Sequence, residues 1–167
     1  EELRRSDDAL QAYERAAKER TDDKDVLEAI GSIEAAKDKW EETVERRLSE
    51  AEESDDDAIR ARMLAVAAET QYRFGGDDEA CIDRVADLLE RALSADPSNR
   101  VALSLAWVAH SRHKRWQKLV VVLDKWIIHG SSKEDRAAAA LRLAQVALHR
   151  LNDEKHAVDA YQRLLEI

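Results

Sequence analysis

Proline occurs once in this chain of 167 residues and glycine four times. So few turn-formers argue against an all-β fold, and leave long helices joined by tight connections. Cysteine also occurs once, at Cys81, which excludes an intrachain disulfide and a zinc site built on several thiolates. One free thiol fits a reducing compartment and favours the cytoplasm, without ruling out a periplasm. Long apolar runs are missing as well. Runs such as Leu119 to Leu123 are far too short to span a bilayer, and no signal peptide is visible. The sequence opens EELRRSDD without Met, so residues 1–167 are expected to form a single domain cut from a longer protein.

Charge is plentiful: 38% of residues are Asp, Glu, Lys or Arg, and the net charge is −9. That balance argues against general binding to nucleic acid or to an anionic membrane. The abundance of Ala, Leu, Glu, Arg and Lys favours helix. Apolar residues recur at three and four nearly throughout, which is helical spacing. Leu3, Leu10, Tyr13 and Ala17 make the first stripe, and TDDKD ends it. Later stripes are broken at Lys37-Asp38, ESDDD, FGGDD, DPSN, His113-Lys114, His129-Gly130 and Asn152. FGGDD reads as a glycine C-cap followed by an acidic helix start, and SSKED as N-cap serines with acids in the first turn. The pattern predicts about nine helices with short connections, which forces antiparallel neighbours.

The helices share a grammar. LNDEKHAVDAYQRLLEI repeats SDDALQAYERAAKE: a turn, Ala, three residues, Tyr, then a small or apolar residue three later. VADLLERALSADPSN fits it too, with Val85, Leu89, Ala92 and Pro97 in the corresponding places. Ala9 to Thr43 is 34 residues, as is Val85 to Leu119, whereas Thr43 to Val85 is 42 and Leu119 to Ala157 is 38. On these residues the protein resembles the tetratricopeptide repeat (TPR), a helix pair of about 34 residues closed by proline.

The resemblance covers essentially the whole sequence and implies an all-α, right-handed α-solenoid of antiparallel helix pairs. It places Leu27, Ile30, Gly31, Glu34 and then Thr43 inside the early pair, and Leu64, Ala67 and Ala68 inside the middle one. In the next pair it places Leu103, Ala106, Trp107 and His110, then Leu119, Leu123 and Trp126. In the last it places Leu141, Ala144, Gln145 and Leu148, then Ala157, Tyr161 and Leu164. Trp107 and Gln145 depart from the pattern, standing where a small residue lets helices approach. Arg47 stands where the family has an aromatic. Either those pairs splay or the register slips by one.

Residues 110–129, HSRHKRWQKLVVVLDKWIIH, hold two features that look like chemistry. His110 and His113 suggest a metal site, but zinc needs three or four ligands and no HExxH pattern supports them. Lys114, Arg115 and Lys118 beside Trp116 suggest nucleic acid, yet Trp116 matches Trp40 of DKWEETV, so packing explains it better. Cys81 follows acidic residues that oppose activation of its thiol. No phosphate-cradling glycine loop is present. Neither an enzyme nor a cofactor is expected.

What remains is the surface that stacked pairs build. The resemblance implies a concave face lined by the first helices. It places there Asp25, Glu28 and Ser32; Arg62, Ala65, Glu69, Tyr72 and Arg73; Val101, Ser104, Val108, Ser111 and Arg112; and Ala139, Arg142, Val146, His149 and Arg150. An acidic protein then carries a groove with Arg62, Arg73, Arg112, Arg142 and Arg150 facing inward. Arginine forks suit carboxylates, so the expected partner is an acidic peptide or a C-terminal carboxylate, against the alternative that these arginines are solvated or ion-paired. The family's chaperone-tail clamp needs an asparagine where this sequence has Ser32, Glu69, Val108 or Val146, which disfavours that partner. The expected function is a protein–protein interaction scaffold. Its alternative is a regulatory or structural repeat domain of a larger enzyme or envelope protein, and a nucleic-acid-binding repeat is third. The apolar C-terminal helix, with Leu164, Leu165 and Ile167, adds an expectation of further repeats or end-to-end self-association.

Overall fold

The computed structural model describes residues 12, 13, 15 and 23–167. Ala12, Tyr13 and Arg15 are helical, and the rest of the first expected helix lies outside the described residues. From residue 23 onward there are eight α-helices and no strand: α1 (Lys24–Asp38), α2 (Trp40–Glu53), α3 (Asp57–Phe74), α4 (Glu79–Ala95), α5 (Arg100–Arg112), α6 (Trp116–His129), α7 (Lys133–Val146) and α8 (Glu154–Glu166). Helix α7 runs on into a π-helical turn, Ala147–Leu151. Among the described residues no helix is long and apolar enough to cross a membrane.

Acidic and polar residues in the connections start most of these helices by satisfying orphan backbone donors. Asp56 accepts from the amides of Ala58 (2.8 Å) and Ile59 (3.1 Å), and Asp78 from Cys81 (2.8 Å). Asn99, Ser132 and Asp153 each accept from the amide three residues on, at 3.0 Å. Helices α2 and α6 lack a side-chain cap and open instead on Trp40 and Trp116, both packed against the core. At FGGDD the Gly75 amide closes α3 on the Gln71 carbonyl at 2.8 Å, and Gly76 takes φ 91°. A Cβ on Gly75 would lie 2.8 Å from the Cys81 sulfur, so the turn needs glycine there.

Each helix packs on the next in sequence, and α3 also reaches α5. Arg100 at the start of α5 meets Asp135 in the first turn of α7 at 3.6 Å. The even helices are joined by ion pairs: Glu45–Arg84 between α2 and α4 (2.6 Å), Asp83–Arg115 from α4 to the residue preceding α6 (2.5 Å), and Asp124–Arg163 between α6 and α8 (2.6 Å). Beyond sequential neighbours, side chains thus link α3 to α5, α5 to α7, α2 to α4 and α6 to α8.

The core is made largely of alanine and leucine, and small side chains let the helix backbones approach closely. In α3 the buried stripe includes Leu64, Ala67 and Ala68, in α4 Val85, Leu89 and Ala92, and in α6 Leu119, Leu123 and Trp126, as the spacing predicts. Elsewhere the face differs. Helix α7 buries Ala140, Leu143, Ala144 and Ala147, leaving Leu141 41% exposed and Gln145 on the surface. The register slips by one, because the run Ala137–Ala140 gives no contrast of size to set a face. In α2 the stripe is Val44, Leu48 and Ala51, the one that apolar spacing marks, while Thr43, which the resemblance places inside the pair, is half-buried, and Arg47 bonds Glu50 at the edge. Tyr161 is exposed while Ala160 takes the buried place on α8. Leu27 is 50% exposed and Gly31 and Glu34 are surface residues, so α1 presents none of those three to a core.

Candidate functional site

The face of the odd helices holds two adjoining hollows between α3 and α5, of about 280 and 350 Å³. They share Arg100 and Val101. Arg62, Val66 and Glu69 recur at helical spacing along the α3 wall. Across from them Val101, Ser104 and Leu105 make the α5 wall, and Asp96, Ser98 and Asn99 close one end. Val101 is 52% exposed, so the floor of the cleft offers apolar surface as well as charge.

The polar and aromatic residues expected to line a groove from α3 onward are placed as follows. Arg62, Glu69 and Ser104 come together in the α3–α5 cleft. Arg62 is exposed and has no ion pair among the described residues. Arg73 is exposed one turn past Glu69 and pairs with it at 3.4 Å. Arg112 stands exposed 4.0 Å from Asp77, with His113 on the same carboxylate at 3.9 Å. Ser111 is half-buried beside them.

One expectation is corrected, and two arginines have ring partners. Tyr72 is 1% exposed and belongs to the core cluster, so its ring lines no open face. Arg142 stacks between two tryptophans, 4.9 Å from the Trp107 ring and 5.8 Å from Trp126. Arg150 lies 5.2 Å over Trp116. Both are cation–π contacts that tie the α7 segment to the α5–α6 hairpin. The π-helical turn carries His149 and Arg150, both exposed. Ala65 lines the α3–α5 cleft although it is buried, whereas Ala139 and Val146, also expected on that face, are buried and line neither hollow.

Arg100 and Val66 were not among the expected residues. Arg100 precedes the apolar stripe of α5, where spacing alone marks only a helix start, and Val66 looks like core in a run rich in alanine. Among the described residues no group of three His, Cys, Asp or Glu side chains is placed to hold a metal ion. The cleft carries Arg62 and Asp96 in one hollow, Glu69 in the other and Arg100 where the two join, around an apolar strip of Val66 and Val101. A guanidinium beside that strip suits an extended segment with a carboxylate and an aliphatic side chain. The protein matches no family model, and no curated protein or solved structure is significantly similar to it.

Proposed function

We propose that this protein is a TPR-like α-solenoid acting as a non-catalytic protein-interaction scaffold, which seats an acidic peptide or a C-terminal carboxylate across its odd helices. The observation that carries the reading is the α3–α5 cleft, where unpaired Arg62 and largely exposed Arg100 flank the apolar strip of Val66 and Val101. Links from α3 to α5, α5 to α7, α2 to α4 and α6 to α8 support the reading, because a stacked-pair array brings alternate helices together. A rigid preformed face limits the ordering cost on association, and guanidinium forks select carboxylates by geometry.

The reading shifts the expected anchor residues. Arg142 and Arg150 are engaged with tryptophan, so binding centres on Arg62 and Arg100, with Arg112 at the far end of α5. Fluorescence anisotropy with acidic, neutral and basic peptides of equal length tests this. Acidic peptides should bind best, and Arg62→Glu should weaken them about tenfold or more, the scale of one lost charge-assisted pair. Equal binding of the three peptides, or an Arg62→Glu protein that binds unchanged, would sink the proposal. Preference for a nucleic acid over every peptide would do the same.

A further inference from the structure

A second cleft opens among the even helices, between α4 and α6, with a volume of about 170 Å³. Leu89 and Leu93 of α4 and Val122 of α6 wall it, and His110 of α5 contributes to its lining. Lys118 and Lys125 stand two turns apart on α6 at the same cleft, and neither has an ion pair among the described residues. Glu90 is the one acid among the lining residues, leaving a surplus of positive charge. His110 is 4% exposed, and its Nδ1 is buried without a hydrogen-bond partner. The volume lies below the roughly 300 Å³ at which drug-sized ligand pockets begin, so the cleft admits a few carbons and no helix.

We propose that this cleft binds a small apolar monocarboxylic acid, its hydrocarbon part against Leu89, Leu93 and Val122 and its carboxylate between Lys118 and Lys125. The apolar walls demand a hydrocarbon portion, and the two free ammonium groups demand an anion. Glu90 opposes a dianion such as a phosphate monoester. The assignment does not depend on what the α3–α5 cleft binds, because the two clefts share no lining residue.

His110 supplies a built-in reporter. Burial, followed by the charges of Lys118, Arg115 and His113, lowers its pKa from 6.5 to about 4. A carboxylate bound beside Lys118 opposes those cations and raises the value again, whereas a neutral ligand has no charge with which to do so. Glu90 and Lys125 face the same cleft.

The test is an NMR titration of the full-length protein with hexanoate and, separately, with hexanol, following the His110 ring and the amides of α4 and α6. Hexanoate should bind about tenfold more tightly than hexanol and shift the His110 titration upward, the two being linked one for one. Lys118→Gln combined with Lys125→Gln should erase the difference between acid and alcohol while leaving the fold intact, since neither side chain belongs to the core. Ala86→Met, which places a side chain in the cleft, should block both probes. Equal affinity for acid and alcohol would overturn the assignment, as would hexanoate failing to saturate. So would shifts confined to the α3–α5 cleft, or a cleft that takes apolar-acidic peptides and not hexanoate.

Discussion

His110 shows what one residue contributes when it is buried without a partner. Unfolded, its imidazole titrates at 6.5, and in the folded protein only at about 4. Between those values the unfolded state holds a proton that the native state does not, so stability rises with pH across the window. It is complete above 6.5, declines as pH falls, and has been lost by about 4. The difference amounts to about 3 kcal/mol. Urea unfolding at neutral pH and near pH 4 should show wild type losing more stability on acidification than His110→Gln, whose side chain does not titrate. Equal losses would mean the imidazole is solvated. Lys114 is a simpler case. It holds φ 56° in the turn between α5 and α6, a conformation that costs a side-chain-bearing residue energy and costs glycine nothing. Lys114→Gly should therefore stabilise the protein by about 1 kcal/mol, or roughly 2–4 °C in Tm at this length.

At the scale of elements, the sequence shows where helices begin more clearly than which way they face. Asp56, Asp78, Asn99, Ser132 and Asp153 are recognisable caps, because a short polar side chain before an apolar stripe has few other uses. The buried faces of α4 and α6 are equally legible, since Val85, Leu89 and Ala92, or Leu119, Leu123 and Trp126, recur at helical spacing. Helix α7 is not. Its alanines pack on any side, and the face is chosen by what its neighbours leave open. The fate of Arg142 was illegible for a related reason, because Trp107, Trp126 and Arg142 meet only once α5, α6 and α7 are stacked. That contact makes a prediction about packing. Arg142→Ala should cost about 1–2 kcal/mol, through the lost stacking and the lost cover of its aliphatic stem, and should alter tryptophan fluorescence. Arg142→Lys should retain part of both. If Arg142→Ala is silent in Tm and fluorescence, the guanidinium is solvent-borne and rejoins the groove residues.

For the molecule as a whole, the distribution of contacts sets the order in which parts open. Helices α3, α4 and α5 contribute Leu64, Tyr72, Ile82, Leu88, Leu89, Leu103 and Leu105 at 2% exposure or less. Helix α1 meets α2 through fewer contacts than any other sequential pair of helices, and its Leu27 is half exposed. The ion pairs joining the even helices are mostly solvent-exposed at one or both partners, so each is worth about 0–1 kcal/mol and fixes alignment more than stability. In an array whose units touch mainly their neighbours, local opening follows local packing, and no global cooperativity hides it. Hydrogen exchange should accordingly proceed fastest in α1, more slowly in α8, and slowest in α3 to α5. A 1 M salt buffer should leave that order unchanged, because screening removes the exposed pairs and not the alanine–leucine contacts. Exchange at a single common rate from α1 to α8 would mean that the protein unfolds as one unit, and would count against a stacked array. Protection confined to α3–α5 with the other helices exchanging in stages would support it, and would place the peptide cleft on the most stable part of the molecule. A cleft held there is preformed before any partner arrives, which is what passive capture of an extended segment requires.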